Sequence, residues 1–537
     1  MESFQALRRR TTDIFQSLPQ SLPASKSTKS TIPTMKGTWE KVNVPPLPRS
    51  SHSVDVVSGS AYIFGGETGP QQPANNDVQV VNLPLSITAS ADLYPVKATS
   101  PRQYETQEVP TVEVSSELDE VAEVQKEMAD VSLEGGEEEL QEGEPLMEGK
   151  GKERASEGPA MGDVPAPRVG HATAVIGTRI FMFGGRGGPD MEPLDEEGRV
   201  WVFDTRHHTW SYLDPARAAA GIPASVPPAR SDHCAAAIDR PRDFAHRRDD
   251  HRETWTEWAK GDVDKVGIPQ APIVGNVAAN AVDEEREGYG TFFVHAGRVA
   301  GGERATDLWA FNVRSRVWSE LPDAPGPARD GAALCVTKGK LFRFGGFDGT
   351  GELGGQIDVL HLATESFDDA VSKGEVAVTS RKEWETLTPI SGASDTLSVN
   401  EWPPARSAAA MLPLHIRGRD YLVLMMGERA ANVHEGTGRC LDDAWVYQVP
   451  TAAGGHARTS SAFRDAVWGA IGRKGAEGRW TRVLGEPFDD ESDEVPVARG
   501  WVGASVIEDM DDPAILVWGG AGEADERLED GWILRLG

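Results

Sequence analysis

The chain has 537 residues, of which 39% are hydrophobic, and it contains 57 glycines and 36 prolines, so many turns are expected. Its formal net charge of −30 excludes the basic surface that nucleic acids and anionic membranes require, and no apolar stretch is long enough to span a membrane. The three cysteines are far apart and odd in number, which excludes a disulfide framework and a thiolate zinc site.

The first segment, residues 1–37, is predicted to be a disordered or weakly helical tail. Its run of three arginines is not followed by an apolar stretch, so it is not typical of a secretory signal. Its arginine, serine and threonine content leaves a mitochondrial presequence as the alternative, which Glu2 and Asp13 oppose. We therefore expect a cytoplasmic, monomeric protein.

A sequence pattern recurs six times between residues 38 and 537. Each unit opens with Pro-x-Arg or a variant of it, and the arginines are Arg49, Arg168, Arg230, Arg329, Arg406 and Arg499. Downstream of each arginine, an apolar run ends in a glycine pair or a degenerate pair, beginning at Gly65, Gly184, Ala296, Gly345, Met426 and Gly519. The separation is 16 residues in three units and 20 in two others. In the third unit along the chain it is 66, because residues 239–288 are inserted.

Two further strands are predicted in each unit after the glycine pair. The third strand begins at Asp77, Arg199, Asp307, Asp358, Asp443 and Asp530. The fourth is marked by Trp210, Trp318, Trp384 and Trp480, and by residues 91–96 in the first unit. Short β-branched and aromatic runs between turn residues are typical of antiparallel strands, and four strands per unit indicate propeller blades. The tryptophans are suited to packing between the blades.

The two ends of the chain predict that the blades close into a ring. The sixth unit reaches Gly537 after only three strands, whereas Trp39 lies in a fourth-strand pattern ahead of the first unit. We therefore expect the N-terminal strand to complete the last blade, which removes unpaired sheet edges.

These units resemble the kelch family, whose repeat has the same glycine pair and downstream tryptophan. The resemblance covers about residues 38–537 and implies an all-β fold, a six-bladed kelch β-propeller. Galactose-oxidase-like members of this fold carry a copper site, but the missing secretory signal and the scarcity of tyrosine argue against one here. Kelch propellers mostly present their blade-connecting loops to partner proteins.

Plant nitrile-specifier proteins also look similar in their kelch repeats. The resemblance implies that Arg49 and Arg168 match positions where that family places arginines that contact substrate. That family is thought to hold Fe²⁺ with a Glu-x3-Asp-x3-His motif, which is absent here. The nearest spacing is Asp204-x3-His208, with Val200 at the glutamate position.

Three segments are expected to be additions to the propeller. Residues 101–163 form an acidic, disordered insertion, since residues 101–160 carry 18 acidic and five basic side chains. Residues 239–288 are inserted in blade 3. The blade-5 loop, 450–478, contains a short helix predicted over 459–474, which either packs on the rim or docks a partner.

The six repeat arginines are the best candidates for a binding site. Each precedes the first strand of a blade, so the symmetry of a propeller predicts a ring of guanidiniums at the channel mouth. Such a ring suits carboxylate, sulfate or phosphate. The alternative is that each arginine bonds to carbonyls or to a carboxylate of a neighbouring blade. His52, His171 and His233 follow the first three arginines by three residues, and the repeat gives them a structural explanation that competes with metal ligation.

Our first hypothesis for function is an interaction scaffold without catalytic activity or cofactor, which binds a protein partner through the blade loops. The alternative is an iron-dependent lyase or isomerase that resembles the nitrile-specifier proteins, with the arginines binding an anionic substrate.

Overall fold

A computed structural model describes residues 35–83, 91–101, 162–216, 225–238, 290–367, 375–389, 402–430, 439–450, 478–488, 494–508 and 513–537. The elements in these ranges are all β-strands, as predicted for an all-β chain. The tail up to residue 34, nearly all of the acidic insertion, the blade-3 insertion and the helix predicted over 459–474 lie outside the described residues. Within these ranges, no helix has the length and apolarity needed to cross a membrane.

The strands follow the N-terminal strand, β1 (Met35–Val42), in six groups. The first comprises β2 (Ser53–Val57), β3 (Ser60–Phe64), β4 (Glu67–Gly69), β5 (Gln72–Pro73), β6 (Val78–Asn82) and β7 (Asp92–Val96). The second comprises β8 (Ala172–Ile176), β9 (Arg179–Phe183), β10 (Arg186–Gly187), β11 (Glu192–Pro193), β12 (Val200–Asp204) and β13 (Thr209–Leu213). The third comprises β14 (Arg230–Ser231), β15 (Cys234–Ile238), β16 (Thr291–His295), β17 (Arg298–Val299), β18 (Leu308–Asn312) and β19 (Val317–Leu321).

The remaining groups continue to the end of the chain. The fourth comprises β20 (Ala333–Thr337), β21 (Lys340–Phe344), β22 (Ile357–Phe367), β23 (Glu375–Ser380) and β24 (Glu385–Leu387). The fifth comprises β25 (Ala410–Ile416), β26 (Arg419–Met425), β27 (Ala444–Gln448) and β28 (Trp480–Pro487). The sixth comprises β29 (Gly503–Ile507), β30 (Ala514–Trp518) and β31 (Gly531–Leu536).

Each of the first four groups forms its own antiparallel sheet. The strand orders are β2-β3-β6-β7, β8-β9-β12-β13, β15-β16-β18-β19 and β20-β21-β22-β23, with β24 also paired to β22. The last two groups share one eight-stranded sheet, in the order β25-β26-β27-β28-β1-β31-β30-β29. The strand predicted over residues 91–96 is confirmed as β7.

The N-terminal strand joins the last two groups. It pairs antiparallel with β31, where Trp39 lies opposite Leu534, and this confirms the predicted pairing of the chain ends. It also pairs in parallel with β28, where Met35 lies opposite Val483. The sequence pattern did not predict this second pairing.

The core lies between the faces of neighbouring sheets. Fourth-strand tryptophans pack on second-strand phenylalanines of the preceding group, with ring centroids 5.0 to 5.7 Å apart: Trp210 on Phe64, Trp318 on Phe183 and Trp480 on Phe344. This arrangement confirms the prediction that the tryptophans are interface residues, because each buries its ring between two sheets.

The prediction for the third strand of the fourth group was wrong in register by two residues, because Asp358 was aligned with Asp307. Asp358 lies within β22, opposite Arg343, whereas Asp307 of the third group is the residue directly before β18. Asp358 therefore takes the place that Trp309 has in the third group, opposite the second strand's penultimate residue. A buried ion pair between Arg343 and Asp358, 2.5 Å apart, replaces the tryptophan there.

Candidate functional site at the channel mouth

The first strands of the six groups surround a central channel of about 690 Å³. At one end, six residues form a closed circle of backbone hydrogen bonds, in which each amide donates to the carbonyl of the preceding group. We call these the mouth ring: Ser51, Gly170, Asp232, Gly331, Ala408 and Trp501. The bonds are 2.7 to 3.1 Å long, and every member has a left-handed φ between 52° and 65°. Because most of these residues are not glycine, the circle imposes a conformation that is otherwise disfavoured.

A second circle links the glycine pairs to the repeat arginines. In each group the second residue of the pair donates its N–H to the carbonyl of the next group's arginine, over 2.7 to 2.9 Å. The donors are Gly66, Gly185, Gly297, Gly346, Gly427 and Gly520. The first glycine is needed for a different reason. A Cβ on Gly65 would lie 2.6 Å from the Arg168 carbonyl oxygen and 2.7 Å from Cε1 of His171.

The repeat arginines are buried, with exposed fractions between 0 and 6%. In five of them, Nε donates to a backbone carbonyl two residues earlier and Nη1 donates to the carbonyl of the first residue of the pair in the same group. These five are Arg168, Arg230, Arg329, Arg406 and Arg499.

Four of the five also hold a carboxylate with both terminal nitrogens. Arg230 binds Asp307 over 2.7 and 2.7 Å, and Arg406 binds Asp443 over 2.7 and 3.0 Å. The pairs Arg168–Glu196 and Arg499–Asp530 have the same form. A tryptophan Nε1 donates to each carboxylate, from Trp201, Trp309, Trp445 and Trp532. Although burial opposes ionisation, the arginine and tryptophan bonds lower the pKa of Asp307, Asp443 and Asp530.

Two arginines lack this carboxylate. Among the described residues, Arg329 donates to backbone carbonyls alone, because Asp358 is held by Arg343. Burial together with the charge of Arg343 lowers the pKa of Arg329 to about 10. Within the described ranges, Nε and Nη1 of Arg49 have no hydrogen-bond partner, and the acid expected for it, Asp77, is bound to Lys97 at 2.9 Å.

The predicted ring of anion-binding guanidiniums is therefore corrected. The channel is lined by none of Arg49, Arg168, Arg230, Arg329, Arg406 or Arg499. The alternative holds for five of them, with the difference that the partners belong to the same group rather than to a neighbouring blade. A guanidinium that already binds a buried carboxylate through both terminal nitrogens has few N–H groups left for a ligand.

The mouth has other arginines that reach solvent. Arg186 is 25% exposed and binds the buried Asp232 at 2.5 Å. Arg298 and Arg304, 44% and 19% exposed, both bind the buried Asp330. The repeat pattern did not predict these arginines, although Arg186 and Arg298 share a signal, since each directly follows the glycine pair or degenerate pair of its group.

The mouth ring adds an aromatic and an unsatisfied acceptor beside these arginines. Trp501 is half-buried with φ 56°, and its indole lies 3.7 Å from a Cβ built on Gly331. Oδ1 of Asp232 is buried and has no hydrogen-bond partner among the residues that the structure describes, and a Cβ on Gly170 would lie 2.3 Å from it. The mouth therefore carries partly exposed arginines, a half-buried tryptophan and a buried carboxylate oxygen.

The three repeat histidines lie between sheets. His52, His171 and His233 are 6 to 8% exposed, and each packs Cε1 against the first glycine of the preceding group's pair, at Gly519, Gly65 and Gly184. Burial and then the nearby arginine lower the pKa of His52 and of His233 to about 3. These rings are neutral packing groups at physiological pH, in agreement with the structural explanation.

Acid should therefore destabilise the fold through these rings. A histidine with a folded pKa of about 3 and an unfolded value near 6.5 binds a proton only when the chain unfolds, so stability falls as pH drops from 6.5 towards 3. We expect about 1.4 kcal/mol per pH unit for each such ring. His233→Gln should flatten the fall of the unfolding free energy between pH 6.5 and 4, measured by urea titration. An equal slope in both proteins would contradict this.

The positions nearest to an iron motif do not fit a metal ion. Oδ2 of Asp204 lies 2.9 Å from Nδ1 of His207, and Oδ1 accepts from the Arg206 and His207 amides. The ring of His208 stacks on Phe203 with centroids 6.2 Å apart. Across the described ranges, no cluster of three histidine, cysteine or acidic side chains is arranged to hold a metal.

Comparison with known proteins finds relatives that match different lengths of this chain. The chain is 26% identical over 397 residues to N-(sulfonatooxy)prop-2-enimidothioate sulfolyase of Thlaspi arvense, covering 69% of this chain and 92% of that protein. The dynein alpha chain of the Chlamydomonas reinhardtii flagellar outer arm is 23% identical over 212 residues, covering 39% of this chain and 3% of that protein. The tRNA wybutosine-synthesizing protein 2/3/4 of Oryza sativa subsp. japonica is 36% identical over 76 residues, covering 14% and 6%. The solved structure of YjhT matches with a TM-score of 0.43 and 11% identity, over 91% of this chain and 95% of that one.

Residues 167–216 match the family model of the Kelch motif. They begin just before Arg168 and contain β8 to β13, which make up the second group of strands. The same order of arginine, glycine pair and third strand is present in the other groups. Residues 167–216 therefore carry a Kelch motif, and the other groups repeat its pattern.

Proposed function

We propose that the chain is a six-bladed kelch β-propeller that works as a non-enzymatic scaffold and binds a protein partner at the channel mouth. The two circles of hydrogen bonds, each with six links, support the number of blades. The observation that carries the binding site is the exposed arginine sector of Arg186, Arg298 and Arg304, which is held in place by Asp232 and Asp330.

The arginine sector suits an acidic or aromatic-flanked segment of a partner. Guanidiniums bind carboxylates in a planar, two-point geometry, and buried aspartates fix their direction before binding, which lowers the entropy cost. Trp501, a half-buried member of the mouth ring, offers an aromatic surface near Gly331, the residue that follows Asp330. The proposal requires no cofactor and places the chain in the cytoplasm as a monomer.

Affinity purification with the full chain tests this proposal. Arg298→Ala with Arg304→Ala should abolish recovery of a partner that the unchanged protein retains. The matched control is Arg419→Ala, an exposed arginine at the start of β26, at the opposite end of the blades. Loss of the partner in the control, or retention in the double variant, would exclude the arginine sector as the binding surface.

A second candidate is favoured by the match to the sulfolyase over 92% of that protein. In this case the same arginines bind the sulfonate group of a small substrate at the mouth. The residues Asp204 and His208 do not converge on a metal position, so we assign iron no step. Sulfate release from N-(sulfonatooxy)prop-2-enimidothioate, lost in Arg186→Ala and kept in Arg419→Ala, would support this candidate over the scaffold.

The metal content of the purified chain distinguishes an iron-dependent form of the second candidate from a form that acts without a metal. Iron at one equivalent in the purified chain, measured by mass spectrometry of the metal, would show that an ion is held by residues other than Asp204 and His208. Turnover with metal-free protein would show that the arginine sector acts without one. Absence of turnover in both forms, with a retained partner protein, leaves the scaffold as the function.

A further inference from the structure

Asp55 is a carboxyl group buried between the first two sheets. It lies in β2, is 6% exposed and is opposite Tyr62 of β3. It borders a small cavity whose walls include Phe64, Phe203 and Trp210, and it also lines the central channel. A charged group placed here faces aromatic rings on one side and the channel on the other.

No other group has an acidic side chain at this position. In each group this position lies opposite the residue that stands three places before the first member of the glycine pair. The equivalent residues in the other groups are Ala174, Ala236, Cys335, Leu412 and Ser505. The remaining repeats therefore show that the fold itself needs only a small or apolar side chain here. Asp55 requires an explanation beyond packing.

The surroundings of Asp55 do not offer a counter-charge. The Thr173 hydroxyl of β8 hydrogen-bonds to it, and within the described part of the chain no lysine or arginine forms an ion pair with it. The nearby titratable groups are engaged elsewhere. Nε2 of His171 lies 3.0 Å from Oγ of Ser53, and the Tyr62 hydroxyl donates to a backbone carbonyl at 3.4 Å.

The other elements around Asp55 contribute only neutral polar groups. On the β29 side, the hydroxyl of Ser505 accepts from the Val56 amide at 2.9 Å, and Nε1 of Trp210 in β13 is buried with no partner in the described part of the chain. Burial accordingly raises the pKa of Asp55 to about 7, and the bond from Thr173 opposes this only in part. The neutral acid is the form that fits the closed interface.

We propose that Asp55 is a protonation-controlled latch in the seam between β2 and β8, closed by the neutral acid and loosened towards the channel by the carboxylate. This inference is independent of the proposed function. In an opened seam the carboxyl is hydrated and has its ordinary pKa near 4, so opening is linked to loss of a proton. The opening constant must then rise with pH between about 4 and 7 and level off above that range.

Hydrogen exchange followed by mass spectrometry on the full chain tests the latch. After correction for intrinsic exchange, opening in the β2 and β8 peptides should increase on the order of 50-fold between pH 5 and pH 8. In Asp55→Asn the increase should be lost. If that variant folds poorly, Asp55→Ser introduces the side chain that the sixth group already has at this position and serves the same purpose.

The matched control is Asp204→Asn, a partly exposed carboxyl whose pKa is lowered, despite partial burial, by bonds to His207 and to backbone amides. It should keep the pH dependence of β2 and β8. The latch is overturned if Asp55→Asn and the unchanged protein show the same pH dependence. It is also overturned if exchange rises equally in all sheets, since the carboxylate would then destabilise the whole fold rather than one seam.

Discussion

Asp443→Ala is expected to destabilise the protein by about 3 to 5 kcal/mol, because it leaves the guanidinium of Arg406 buried without its carboxylate. Arg406 is fully buried and holds Asp443 through two nitrogens, and Trp445 also donates to that carboxylate at 2.7 Å. Desolvation of a lone cation costs more than the missing hydrogen bonds alone. Urea unfolding at pH 7 measures the loss.

Two further variants separate the charge from the packing. The double change Arg406→Met with Asp443→Leu should recover part of the stability, since it removes the lone buried charge but leaves the carbonyls of Pro404 and Met426 without their donor. Glu486→Ala, which removes an exposed ion pair with Lys36, should cost less than about 1 kcal/mol. If Asp443→Ala changed the free energy of unfolding only slightly, the pair would be hydrated, and the repeat arginines would again be candidates for ligand binding.

Trp39→Ala is expected to cost about 3 to 5 kcal/mol, as for other truncations of a buried aromatic residue. Trp39 is 5% exposed and packs in the core cluster shared by the fifth and sixth groups. Its strand is hydrogen-bonded to β28 on one side and to β31 on the other, so loosening β1 divides the eight-stranded sheet between the fifth and sixth groups. Denaturant unfolding followed by tryptophan fluorescence measures this effect.

Lys36→Ala is the control, because it changes an exposed side chain in the same strand. It should leave the unfolding midpoint nearly unchanged. Equal midpoints for Trp39→Ala and the unchanged protein would mean that the ring does not depend on β1 for its closure, and the predicted closed propeller would then be wrong.

The sequence alone was sufficient for the repeat and for most strands. Glycine pairs after apolar runs, and tryptophans near the fourth strands, recur because the same local backbone and the same interface are built in each group. Even the pairing of Trp39 with the last group followed from counting strands. The register predicted for the strand at Asp358 was wrong. In that group an ion pair between Arg343 and Asp358 replaces a tryptophan, and the repeat pattern alone does not reveal this replacement.

The role of the arginines, in contrast, was decided only by the tertiary structure. A repeated arginine near a channel looks the same in sequence whether it faces solvent or a buried carboxylate. Glu196 shows the difficulty, because it supplies the acid for Arg168 from a different position than Asp307, Asp443 and Asp530. Burial and partner choice depend on which loops the closed ring brings together, and so does the exposed sector of Arg186, Arg298 and Arg304. Local pattern fixes the strands, whereas the surface that can bind a partner exists only after the sheets have packed around the channel.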